Sequence, residues 1–232
     1  MVILSLVMYI IYFAVLMLLP LYAQRKVKST YTRYSKETST SGMTGAQVAR
    51  KILDENGLGN VRVEAVDGFL SDHYDPTTKV VRLSTHNFYE ASVAGNAVAA
   101  HECGHAIQDA EAYKFLNIRA KLVPAANISS NASWIFIMIG MIATYQPLML
   151  VGIILLAIGV LFQVVTLPVE FDASKRAMRQ MSEHGIINND EYPKAKKVLT
   201  AAALTYVAAA ATAVMELARL VLIYTGMGNR DD

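Results

Sequence analysis

The chain has one cysteine, Cys103, so no disulfide can close within it. A reducing compartment is compatible with that count. Cys103 sits inside an alanine-rich helical pattern, which reads as a small packing residue rather than a redox centre. Charge is scarce. Only 17% of residues are charged against 54% hydrophobic, where an ordinary soluble domain has about 25% charged. That shortfall points to a lipid bilayer. The net charge of +2 is small, and no basic stripe is interleaved with aromatics, so nucleic acid is excluded as the expected partner. Charge is missing altogether from residues 1–23. The basic start of a signal peptide is missing with it, so this run reads as a retained transmembrane anchor.

A basic flank, Gln24-Arg25-Lys26-Val27-Lys28, follows the anchor, and then a Ser/Thr/Tyr-rich stretch to about Ser41 that reads as a linker. Thr44 and Gln47 have capping-box spacing, and Val48, Ala49, Ile52 and Leu53 form the stripe of a short amphipathic helix that Gly57 stops. Val61–Val66 and Lys79–Ser84 alternate as two strands of a small sheet, with a turn at Asp75-Pro76. Residues 92–112 read as a helix too polar to cross a membrane. Residues 113–131 read as another, with Pro124 as its kink or restart. Two uncharged runs, 133–143 and 148–167, flank the break at 144–147 and read as a transmembrane hairpin. A last apolar run, 201–224, is alanine-rich and reads as a fourth span.

Of 21 Lys and Arg, thirteen fall between residues 24 and 131 and six between 168 and 200; only Arg219 and Arg230 lie elsewhere. The positive-inside rule therefore places both polar segments in the cytoplasm, with four spans and the N-terminus outside.

Within the 92–112 helix stands His101-Glu102-Cys103-Gly104-His105. Histidines four apart share one helix face, so both imidazoles can reach one metal ion, and the intervening Glu102 can act on a bound water. This is the H-E-x-x-H pattern of zinc metallopeptidases. A plain surface helix with two unrelated histidines is the bland alternative. Catalytic zinc takes three protein ligands and keeps one position open. Glu170 is the choice for the third, in Leu167-Pro168-Val169-Glu170-Phe171-Asp172-Ala173-Ser174. Pro168 is expected to start a helix there and present Glu170 in its first turn. Asp172 is the runner-up, and simple capping of a helix N-terminus by Glu170 is the non-functional alternative.

Three stretches together resemble the YugP-type neutral zinc metallopeptidases of bacterial membranes: 68–76 (Gly-Phe-Leu-Ser-Asp-His-Tyr-Asp-Pro), 98–108 around the two histidines, and 167–174. The resemblance extends to Thr44–Leu58 and Ala201–Tyr206 and covers most of the chain. It implies a membrane-bound zinc peptidase with ligands His101, His105 and Glu170 and catalytic Glu102. The chain is more distantly similar to the HtpX and Ste24 membrane proteases. Those often carry an Asp four residues after the ligand Glu, supporting a ligand histidine. Ser174 holds that position here, and the nearby acid is Asp172. Asp172 and Ser174 are therefore the candidate supports of the ligands, and which of them orients the histidines stays open.

The expected architecture is mainly α with a small β-sheet, a zincin-like (gluzincin) catalytic domain joined to about four transmembrane helices. Its parts are an anchor (1–23), a cytoplasmic domain (24–131), a hairpin (132–167), a cytoplasmic segment with the third ligand (168–200) and a fourth span (201–224). The expected function is hydrolysis of peptide bonds in a protein or peptide substrate, membrane proteins included, at the cytoplasmic face of the cell membrane. One Zn2+ ion would activate water and Glu102 would accept its proton. His73, His184, Arg176 and Tyr192 are candidates for contacts to substrate or transition state, each with a plain surface role as the alternative. Val80–Ser84 is either an edge that pairs with an extended substrate or an internal strand. Asp72, His73 and Asp75 form a candidate second metal cluster, with turn formation as the simpler account. Glu216 and Arg219 are an ion pair near the outer end of the last span, or else a polar path through it. A site-2-type intramembrane protease is excluded, because H-E-x-x-H lies outside the apolar runs and no N-P-D-G or L-D-G-type motif follows. The non-enzymatic alternative is a zinc-stabilised membrane scaffold or chaperone.

Overall fold

The computed structural model describes residues 2–228, with side chains for 7–129 and 131–226. Met1 of the anchor and Arg230 of the charge count lie outside the described residues. Seven helices and three strands follow in order: α1 (Val2–Tyr34), α2 (Gly45–Glu55), β1 (Arg62–Val66), β2 (His73–Asp75), β3 (Val80–Ser84), α3 (Thr85–Tyr89), α4 (Val93–Ala110), α5 (Lys114–Ile142), α6 (Gln146–Glu183) and α7 (Tyr192–Gly228). The fold is mainly helical with one small sheet.

The chain divides into two compact units. The polar unit comprises Leu21–Leu116 and Val169–Thr205. The apolar unit comprises the described residues of Met1–Pro20, Asn117–Pro168 and Tyr206–Asp232.

In the polar unit α2 begins as its sequence dictates. The Thr44 hydroxyl accepts from the Gln47 amide, and the Gln47 side chain accepts from the Thr44 amide. The stripe Val48, Ala49, Ile52 and Leu53 is fully buried against α4. Ser92 caps α4 by accepting from the Gly95 amide at 3.0 Å. The face of α4 that meets α2 and the sheet carries Ala97, Ala100 and Cys103, small residues that let the elements approach closely. The sheet order is β1-β3-β2, with β3 parallel to β1 and antiparallel to β2. Val80, Val81 and Leu83 are all fully buried, as a central strand requires.

Three expectations change here and one open choice is decided. The stretch after the anchor is no linker. α1 continues to Tyr34, and Tyr31 and Tyr34, one helical turn apart, enter the core. Glu37 O then accepts from Val93 N, and Thr38 bridges to Ser92. Val80–Ser84 is the internal strand, so the free edges belong to β1 and β2. A third strand, His73–Asp75, occupies what the sequence presents as a turn; the turn itself follows at Pro76–Lys79. Finally, Pro168 lies inside α6 instead of starting a helix. Proline removes one backbone donor but does not stop a long helix whose neighbours hold it.

Glu191 joins the two ends of the polar unit. Its carboxylate accepts from Thr40 N and Oγ1, each at 2.7 Å, and from Asn188 N at 3.2 Å.

In the apolar unit Gly140 and Gly152 let α5 and α6 touch. A Cβ on Gly140 would lie 2.5 Å from Met149 N, and one on Gly152 would lie 2.6 Å from Ile137 Cγ1. Among the described residues three helices are long and apolar enough to cross a membrane, Val7–Tyr34, Gln146–Glu183 and Tyr192–Gly226. A fourth arises if α5, bent by 40° between Lys114–Ser129 and Asn131–Ile142, counts as one span. That bend lies past Pro124, at the residue joining the two segments. Glu216 pairs with Arg219, as its spacing suggests, and also accepts from the Tyr12 hydroxyl of α1.

A candidate metal centre

α4 presents His101 and His105 on one face, their rings 4.8 Å apart and nearly perpendicular. α6 brings Glu170 to them across 69 residues of sequence. Glu170 Oε2 lies 3.3 Å from His101 Nε2 and 3.6 Å from His105 Nε2. One donor atom from each residue falls within 4.8 Å of the others. Donors on a tetrahedral zinc at about 2.0–2.1 Å stand about 3.3 Å apart. Both separations to Glu170 match that spacing, and the donor set as a whole, within 4.8 Å, closes on an ion by a shift of the histidine rings. Glu170 is 2% exposed, whereas the histidine side chains keep 14% and 12%, so the cluster opens on the histidine side.

The two α4–α6 neighbours meet because of Gly104. A side chain there would strike the Ala173 backbone of α6. The residue between the histidines that a motif leaves variable is thus set by helix packing. Cys103, the other one, is fully buried and donates to Ala49 O; burial pushes its thiol far above the ordinary value. It is a packing residue.

Glu102 is buried beside the histidines. Burial raises its pKa, and Asp72 and Glu170 add to the rise, against the opposing pull of His101 and His105. Among the described residues no hydrogen bond or ion pair ties its carboxylate down. Burial by itself would lower the His105 pKa. The carboxylates of Glu170 and Glu102, together with the Gln108 side chain, raise it overall.

The outer nitrogens of both imidazoles are engaged. His101 Nδ1 lies 3.2 Å from Ser174 Oγ, and His105 Nδ1 lies 3.0 Å from Gln108 Oε1. Gln108 was not singled out by the sequence, although it stands three residues after His105, within reach on a helix. Asp172 lies apart from the donor cluster. It accepts from Gln108 Nε2 at 2.8 Å and from Arg176 Nε at 2.6 Å.

The remaining candidates have partners of their own. Arg176 also pairs with Glu111 at 2.7 Å and stands over the Tyr113 ring. His73 Nδ1 meets Ser71 O, and its Nε2 faces Arg82. His184 Nε2 meets Gln180 Oε1. Tyr192 is partly exposed and lines a groove with Phe171, Ser174 and Met178. The candidate second cluster dissolves into local bonding. Asp72 accepts from Ser84 N at 2.7 Å and from Asn87 Nδ2, while Asp75 accepts from Thr77 N, Thr78 and Arg82. Among the described residues, His101, His105 and Glu170 are the group that can gather on a metal.

The sequence model of the family described as "Putative neutral zinc metallopeptidase" matches residues 9–225. The chain is 48% identical over 214 residues to "Putative membrane protease YugP" of Bacillus subtilis (strain 168), covering 92% of this chain and 94% of that protein. No solved structure matches. The chain belongs to this zinc metallopeptidase family.

Proposed function

We propose that this member of the family is a multi-pass membrane zinc endopeptidase with a zincin-like catalytic unit of the gluzincin type. The observation that carries the reading is the convergence of two Nε2 atoms and one carboxylate, with a buried glutamate beside them. His101, His105 and Glu170 would hold the ion. A zinc ion held there would supply Lewis-acid polarisation of a water molecule and of the scissile carbonyl. Glu102 takes the water's proton and passes it to the leaving amine. Its burial supports that role, since a base with a raised pKa also serves as an acid in the second half of the reaction.

The substrate is an extended peptide. β2 packs on α4 and leaves one edge without a ladder partner, and the Tyr74 hydroxyl donates to Asp109 at 2.7 Å, one turn beyond His105. An unpaired edge beside the metal-bearing helix suits strand addition. The cytoplasmic face of the cell membrane is the proposed location. Its support is the concentration of positive charge in residues 24–131 and 168–200.

The test is Glu102→Gln in the purified, detergent-solubilised chain. Cleavage of casein is expected to fall by a factor of at least about 10² while zinc content stays at one ion. Unchanged cleavage with zinc bound would remove Glu102 from the mechanism. Zinc binding by an unsubstituted chain that cleaves no peptide would favour the scaffold alternative.

A further inference from the structure

We propose that Gln108 is a positioning residue that locks His105 in the tautomer with a bare Nε2 and ties that ring to the backbone beside Glu170. The inference rests on the metal reading above and extends it to a residue outside the H-E-x-x-H pattern.

The argument is one of donors and acceptors. Gln108 is fully buried on α4, one turn after His105. One end of its amide faces two groups on α6, Val169 O at 2.9 Å and Asp172 Oδ2 at 2.8 Å. A peptide carbonyl cannot donate, and an ionised carboxylate can only accept. Asp172 Oδ2 already accepts from Arg176 Nε at 2.6 Å, so it faces Gln108 as an acceptor. The amide end facing α6 must therefore be the NH2 group. Its oxygen is left to face His105 Nδ1 at 3.0 Å. That oxygen accepts only, so Nδ1 must carry the hydrogen. A neutral imidazole protonated on Nδ1 has its lone pair on Nε2, the nitrogen that points at Glu170.

His101 has no such lock. Its Nδ1 faces the Ser174 hydroxyl, which donates or accepts with equal ease. The two histidines are thus held differently: one by a rotor, the other by an amide whose orientation is dictated from α6. Val169 immediately precedes Glu170, so the same amide sets the spacing between His105 and the third donor. In many metal sites a carboxylate or carbonyl receives the outer N–H of a ligating histidine, and its loss costs 10–100-fold in metal affinity. Here Gln108 takes that place and Asp172 acts through it.

The experiment measures zinc affinity of the full chain in detergent by competition with a chromophoric chelator, together with melting temperature. Gln108→Met removes the hydrogen bonds at similar volume and is expected to weaken zinc binding about 10–100-fold. Gln108→Glu keeps an acceptor for His105 but sets carboxylate against carboxylate at Asp172. It is expected to weaken zinc binding as well. Adding Asp172→Asn to Gln108→Glu restores a donor on α6, while the Val169 carbonyl still faces an acceptor, and is expected to return part of the lost affinity, at least several-fold over Gln108→Glu alone. A purely structural role would not produce that recovery. The single and double Glu variants alone carry the test if Gln108→Met does not fold. Unchanged affinity in Gln108→Met, or no recovery in the double variant, overturns the proposal while the metal reading stands. Failure of the unsubstituted chain to bind zinc overturns both.

Discussion

A Cβ built on Gly104 would sit 2.6 Å from the Ala173 carbonyl oxygen. No real side chain tolerates that approach, so α4 and α6 can cross this closely only over a glycine. The crossing matters because Ala173 is less than one turn past Glu170. Gly104→Ala is expected to push α6 outward, lower stability by about 1–3 kcal/mol, and weaken zinc binding beyond what the stability loss explains. Paired denaturation and chelator-competition measurements check this. Wild-type zinc affinity in Gly104→Ala would show that the α6 backbone yields without moving Glu170.

Glu170 and Asp172 are two residues apart, but on a helix they point about 200° apart. Only Glu170 joins the donor cluster. Glu170→Ala is expected to abolish stoichiometric zinc retention after dialysis. Asp172→Ala is expected to leave zinc bound but more weakly, through Gln108. Metal analysis by mass spectrometry distinguishes them, and the reverse order would make Asp172 the third donor.

Tyr31 anchors the C-terminal end of α1 in the core of the polar unit. Its hydroxyl donates to Asn87 Oδ1 at 2.7 Å, and Asn87 in turn donates to Asp72. Tyr31→Phe leaves a fully buried amide oxygen without its donor, a loss of about 1–3 kcal/mol. Thermal unfolding is expected to show it, with zinc affinity unaltered. A neutral result would mean that water replaces the hydroxyl.

Glu191 links stability to pH. Burial alone would raise its pKa, but donors from Thr40 and Asn188 outweigh that and hold it below its ordinary 4.5. A depressed folded pKa stabilises fully above the unfolded value and is lost as pH falls through the folded one. The melting temperature of Glu191→Gln is expected to lie below that of the unsubstituted chain at pH 7. The gap is expected to narrow as the pH falls below 4.5 and to close once it has passed through the depressed folded value. A gap that stays constant with pH would assign the effect to shape rather than charge.

The sequence carried the site's first half plainly. His101 and His105 needed only the 3.6-residue period of one helix, and Thr44 and Gln47 needed only a three-residue reach. Glu170 was reachable as well, because a third donor was required and few acids follow the histidines closely in a suitable helix. Its setting was not legible, since Pro168 is as common at a helix start as it is tolerable inside a long apolar helix. β2 was hidden because three residues next to a turn carry too little pattern. Gln108 was hidden because a lone glutamine on a helix has no spacing signature; what distinguishes it is what it meets on α6.

The sequence by itself therefore determined what is local: the histidine pair and its glutamate, the capping box, and the uncharged runs long enough to span a membrane. These follow from helical periodicity and from the free energy of moving apolar surface out of water, and neither depends on distant residues. The tertiary structure decided which carboxylate meets the histidines, which strand has a free edge, and which nitrogen of His105 is bare. Those depend on contacts across tens of residues, where close packing at Gly104 and the obligatory pairing of buried donors with acceptors admit one arrangement.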